Sequence, residues 1–326
     1  MPSARCRAGA GTALAVVTVM PSINSLIPTI SWGPDALHQR LAKSHAARLS
    51  PRLEDVDWEA TLEDELSCRR MEHELVERER AAIAPQVRRV PTDPVGFAAW
   101  FEGLKETGPG QGDAIFPWLA EEASVADLCW FLHQEMAGEA GFDDLVALSQ
   151  LKLAPRPKLE MARNYWDEMG QGHESGMHGP MLQRLGDCLP TRETPPVWQA
   201  LALGNLMIAL ATSRAYAYQS IGALGVIELT APGRSKLVNA ALKRLNFDGG
   251  ARRYYALHAT LDVRHSQTWI REVLMPLVES DERIAPLLAE GALLRLRAGE
   301  RCFERYRVEL MPNAATAWRQ VGRGSP

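Results

Sequence analysis

The stretch 258–265, HATLDVRH, constrains this chain most, because His258, Asp262 and His265 stand at i, i+4 and i+7. At about 100° per residue an α-helix places these three side chains within an arc of about 60°, so two imidazoles and a carboxylate converge on one line. A single histidine on a helix reads more often as a solvated or core-bonded residue. Three ligands on one face point instead to a bound metal. Tyr255, Leu261, Trp269, Val273 and Leu277 recur at helical spacing, which predicts a helix over 251–278, after the breaker Asp248-Gly249-Gly250.

The remainder reads as helix too, with no period-two alternation, βαβ spacing or internal repeat, and the fold class is all-α. Segments 35–49 and 53–82 are rich in charged helix formers, and His38, His45 and His73 within them read as surface residues. Pro91 and Pro94 mark a junction before a short helix over 95–105. The Gly-rich run GPGQGD at 108–113 follows no strand and lacks a GK[ST] ending, which excludes a phosphate loop. This organisation predicts a disordered leader over 1–33, an N-terminal helical extension over 34–90, a main domain over 91–310 and a tail over 311–326. Arg5 and Arg7 before the apolar run 11–20 imitate a signal peptide, but no small-x-small cleavage site follows, and Met20 is an alternative start.

Charge and cysteine usage narrow the function classes. The net charge of −4 and pI near 6.1 give no basic excess for nucleic acid or an anionic membrane. The five cysteines form no CxxC pair, so neither a disulfide framework nor a zinc ribbon is expected, and a reducing cytoplasmic setting is the simplest reading.

Carboxylates and imidazoles in the main domain supply further candidate ligands. Ser124 is a plausible N-cap for a helix reaching Glu139, in which Glu135 lies beside Leu128, Trp130, Phe131 and Leu132. It is either a solvated helix residue or an inward ligand whose desolvation a cation offsets. A helix over 158–169 carries Glu168 near its end, followed by Gly170, Gly172 and then His178. A long apolar helix over 197–229 places Glu228 near a C-terminal end stopped by Pro232-Gly233. Arg214 is predicted to share its face, where it either anchors a substrate carboxylate or makes a structural ion pair. Segment 283–310 reads as a last amphipathic helix.

Seven residues stand together as candidate metal ligands: Glu135, Glu168, His178, Glu228, His258, Asp262 and His265. This mixture suits non-haem iron or manganese, whereas structural zinc more often recruits thiolates, and seven ligands suit two ions. Ferritin-like bundles use repeated Glu-x-x-His motifs, which this chain lacks.

The order Glu135, His178, Glu228 and His258-x3-Asp262-x2-His265 resembles the haem-oxygenase-like di-metal oxidase family over about residues 95–280. The first ninety residues carry no motif of that family. The resemblance implies a bundle of about seven helices, two Fe(II)/Fe(III) ions bound without haem, and O2 as co-substrate. One iron would take Glu135, His178 and Asp262 or Glu228, and the other the remaining residues with His258 and His265. Glu168 resembles the supplementary carboxylate of N-oxygenating members, which tilts the expectation towards N-oxygenation, or C–H desaturation or cyclisation, of a small amino acid or amine in specialised metabolism. An external electron donor and a homodimer are compatible partners. The alternatives are a fatty-acid decarboxylase or desaturase of the same family, a non-catalytic helical iron- or ligand-binding protein, and a haem-degrading enzyme. Haem needs one axial histidine and an open slot, which crowded carboxylates disfavour.

Overall fold

Residues 33–53, 55–190 and 194–312 are described by the structure, a computed structural model. The leader and the tail expected at the two ends fall outside the described residues, apart from Gly33, Met311 and Pro312. Among the described residues the secondary structure is helical with no strand, as expected, and the single extended feature is an isolated bridge between Met169 and Met177.

The N-terminal helices are α1 (Pro34–Leu49) and α2 (Trp58–Val87). Asp57 starts α2 by accepting the Ala60 amide, and α2 runs on through Pro85. His38 and His45 are buried, contrary to the surface reading, because α1 packs against α9 (Trp198–Thr212). There His45 lies between Asn205, 3.0 Å away, and Glu72 at 2.7 Å, while His38 stacks on Trp198. His73 is exposed on its face, as expected, and bonds the Tyr216 hydroxyl.

The main bundle begins with α3 (Pro94–Thr107) and α4 (Ile115–Glu121). The Gly-rich turn between them lies against the last helix, where the Gly110 amide donates to Glu300, a packing role in place of phosphate binding. Next comes α5 (Val125–Gly138), capped as predicted by Ser124 with a reciprocal bond to Asp127, then α6 (Phe142–Ser149), α7 (Pro155–Glu168) and α8 (His178–Asp187).

The long apolar helix expected over 197–229 is two helices. Backbone at Ser213 turns extended, a 3-10 turn covers Arg214–Tyr216, and α10 (Ala217–Arg244) then passes through Pro232 without stopping. Burial of α10 among its neighbours outweighs the local breaker signal. Glu228 consequently sits inside α10, and Pro232 has no N–H to return to the Glu228 carbonyl.

Helix α10 is the axis of the bundle, flanked by α11 (Arg253–Trp269) and, beyond α12 (Met275–Ser280), by α13 (Ile284–Leu310). The α10–α13 crossing is close enough for backbone to touch backbone. A Cβ on Gly222 would overlap the Leu288 carbonyl, and one on Gly291 would overlap that of Gln219. The predicted helix 251–278 is interrupted by a π-helical segment, Ile270–Leu274, between α11 and α12. One hydrophobic core runs from Val76 on α2 to Tyr306 on α13, so α2 shares the core of the bundle, while Leu41 of α1 packs with Cys68 and Leu75 of α2 in a small separate cluster. No helix among the described residues is long and apolar enough to cross a membrane.

Candidate metal centre

Helices α5, α7, α8, α10 and α11 face a buried cavity of about 100 Å³ at the middle of the bundle. Two triads of potential ligands stand there, each with its ligand atoms within 4.8 Å of one another: Glu168, His178 and His258, and Glu228, Asp262 and His265. Six of the seven residues singled out in the sequence are therefore brought together. The metal row on α11 is split between the triads, because His258 falls with His178 while Asp262 and His265 face Glu228.

Ten residues separate Glu168 from His178, and the loop between them closes the gap. The Met169–Met177 bridge pins its two ends together. Gly170 takes a φ of +59° at the contact, and a Cβ there would lie 2.6 Å from the Met177 amide nitrogen. His178 Nδ1 comes to rest 2.6 Å from Glu168 Oε2, yet makes no hydrogen bond. His258 Nδ1–H donates to the Tyr254 carbonyl at 2.7 Å, which leaves Nε2 for the cavity.

The second triad is braced from α7. Asn164 donates to Glu228 Oε1 at 2.6 Å, and its amide nitrogen is 3.2 Å from His265 Nδ1. Asp167 stands 3.0 Å from His265 Nε2, the carboxylate–imidazole arrangement that orients a metal-binding histidine. Asn164 and Asp167 escaped the sequence reading. Asn164 at i−4 from Glu168 was the available signal, since that spacing puts both on one face of α7.

Electrostatics favour a cation in this cavity. Burial lifts the Glu168 and Asp262 carboxyls well above the ordinary carboxylate range, with Glu228 adding to both. Burial holds the His178 and His258 imidazoles down at about 4, so both are neutral and have a lone pair to offer near pH 7. Burial also pushes His265 down, but the Glu228 and Asp167 carboxylates outweigh it and raise it to about 9. Glu228 Oε2 and His178 Nδ1 are buried with no hydrogen-bond partner among the described residues. Orphaned acceptors and like-charged carboxylates are what divalent ions would satisfy, and the residues present fit a metal.

Two of the predicted site residues join neither triad. Glu135 lines the same cavity, beside Arg234, Arg295 and the Tyr306 hydroxyl. Glu139, one turn further on, also lines it; burial and then Glu168 push it up to about 8, and it acts on Asp262. Arg214 is exposed and spends its guanidinium on the backbone carbonyls of Ser149 and Leu151, at 3.4 and 2.7 Å. The expected substrate anchor is thus a loop staple, because the break at Ser213 takes Arg214 off the helix that carries Glu228.

A third grouping, His45, Cys68 and Glu72, is closed to a metal. Arg48 and Arg69 occupy the Glu72 oxygens at 2.8 and 3.0 Å.

No curated protein matches the chain. The sequence model of a family described as iron-containing redox enzyme matches residues 129–300, a span that includes every ligand of the two triads. With more than half of its length in that match and an all-α bundle around a cavity of carboxylates and imidazoles, this chain belongs to the haem-oxygenase-like family of iron-containing redox enzymes.

Proposed function

We propose that the chain is a non-haem di-iron oxidase or oxygenase that uses O2 to oxidise a small amino acid or amine. The observation that carries this reading is the pair of adjacent ligand triads in one buried cavity. Glu168, His178 and His258 would hold one ion, and Glu228, Asp262 and His265 the other. Bound iron supplies the electrons and the binding position for reductive activation of O2.

The protein's own part is to hold, orient and exclude. The Tyr254 carbonyl fixes the tautomer of His258, and Asp167 does the same for His265 from the other ring nitrogen. Phe116, Phe142 and Leu182 in the cavity wall keep bulk water from the reacting groups. Inserting one oxygen atom into an N–H bond uses two of the four electrons that O2 accepts, with the other oxygen leaving as water. The remaining two electrons come from an external donor, the partner this reading requires.

A groove of about 770 Å³ beside the cavity supports a second reading, desaturation or decarboxylation of a fatty acid. Leu229, Leu237, Val263 and Ile270 give that groove apolar walls suited to an alkyl chain.

The deciding experiment is anaerobic reconstitution with Fe(II), then exposure to O2 with a panel of amino acids, amines and fatty acids, read by mass spectrometry. Two irons per chain and one oxygen gained by an amine support the first reading. Loss of two hydrogens or of CO2 from a fatty acid moves the second to first place. Iron uptake without O2 consumption leaves a binding protein, and haem uptake would overturn both.

A further inference from the structure

Two arginines that neither triad uses also stand at the cavity. Arg234 comes from α10 and Arg295 from α13, and both line the cavity. Burial and then the Arg295 charge bring Arg234 down to about 10. Arg234 has one side-chain partner, the Thr230 hydroxyl at 3.0 Å, and lies over the Phe303 ring. Arg295 makes no hydrogen bond among the described residues. The nearest carboxylates, Glu135 and Glu139, influence Arg295 without an ion pair at 4.0 Å or less.

Both arginines are partly buried, and a guanidinium presents five donors, most of which these two leave without a protein acceptor. Two guanidiniums facing one space, with the facing carboxylate held off, leave a gap with donors on one side. Glu135 and Glu139 line the same space without an ion pair to either arginine, so the two guanidiniums keep donors that an anion would engage. Planar guanidiniums match a carboxylate in particular, because each can meet both oxygens at once.

Arg234 and Phe116 also line the outer groove, so the two residues stand where cavity and groove adjoin. A carboxylate entering by the groove meets Arg234 first and Arg295 deeper in.

We infer that Arg234 and Arg295 form a carboxylate-binding subsite that holds the acid group of the substrate within the metal cavity. This deepens the proposed function and rests on it for the identity of the substrate. Amino acids and fatty acids both carry this group, and an amine lacking it would be excluded. Neither arginine reacts; both are positioning residues.

The test uses the full chain loaded with Zn(II), which cannot turn over, and calorimetric titration with acetate, n-octanoate and L-leucine against acetamide, octanamide and L-leucinamide. At least one acid should bind, with its amide weaker by about tenfold or more. Arg295→Gln and Arg234→Gln should each erase that preference while zinc stoichiometry and the helical circular dichroism stay as in the parent. Preference for octanoate identifies an alkyl acid, and preference for leucine an amino acid. The subsite is overturned if no acid binds, if acid and amide bind alike, or if both variants keep the preference, as they would were the acid held by the metal alone. Acid binding that survives a finding of no O2 consumption would sink the proposed redox function and leave the subsite standing.

Discussion

Asp167 and Glu168 are neighbours on α7, yet they serve opposite halves of the cavity: Asp167 braces His265 at 3.0 Å, and Glu168 lies 2.6 Å from His178. One turn end thereby ties the two triads together. Asp167→Asn should weaken the second ion by about 10- to 100-fold and leave the first in place. Stepwise Co(II) titration followed by absorbance reads both ions, and equal loss at both would mean that Asp167 shapes the helix end rather than the histidine.

Glu135 and Glu139 are one turn apart and differ in what they face. Glu139→Gln should lower metal occupancy, since it removes a cavity-lining carboxylate whose charge is felt by Asp262. Glu135→Gln should keep two ions per chain while changing carboxylate binding beside Arg234 and Arg295. Metal analysis of the two variants after dialysis separates them, and a loss confined to Glu135→Gln would reverse the assignment.

Asp262→Ala and His265→Ala should lower iron occupancy and stop O2 chemistry with the fold kept. Both side chains are buried without forming the hydrophobic core, and removing a buried acid relieves a desolvation penalty. The metal-free Asp262→Ala protein should melt no lower than its parent; a collapse in melting temperature would show a structural role.

Gly291→Ala tests the α10–α13 crossing. The added Cβ meets the Gln219 carbonyl, which cannot rotate away, so destabilisation should reach or exceed the upper part of the usual overpacking range of about 1–3 kcal/mol. Thermal unfolding measures it, and an unchanged midpoint would mean that the helices separate freely.

His38 and Glu72 each make stability sensitive to acid, in different pH windows. His38 is held at about 4 by burial and then by Arg78 and Arg301, whereas in the unfolded chain it titrates near 6.5. The unfolded state binds more protons between those values, so stability drops as the pH falls through that window. Glu72 follows. Burial alone would raise it, but His45, Arg48 and Arg69 hold it at about 2, so its contribution is complete above 4.5 and is lost as pH falls towards 2. His178 and His258 titrate in the same window and the raised Glu139, Glu168 and Asp262 carboxyls act with the opposite sign, so His38 is read from the difference between the parent and His38→Gln. The urea midpoint of the metal-free parent relative to that variant should fall as the pH drops from about 6.5 to about 4, and a constant difference would remove His38 from the account.

What the sequence determined by itself is what depends on local geometry. His258, Asp262 and His265 align because an α-helix repeats every 3.6 residues, and Ser124 caps α5 because its hydroxyl can reach the Asp127 amide whatever lies around it. Which partners those residues meet was decided by the tertiary structure. The 100° step puts three ligands on one row but cannot say that His258 would face α8 and Asp262 would face α10. Burial of α10 carried the helix through Pro232, and the helix break at Ser213 turned Arg214 outward, while Arg234 and Arg295 came to line the cavity. His38 and His45 read as surface residues because their partners, Trp198, Asn205 and Glu72, are 27 to 167 residues away. Spacing is a property of one helix, whereas burial and charge are properties of the helices packed around it, and only the packed bundle contains them.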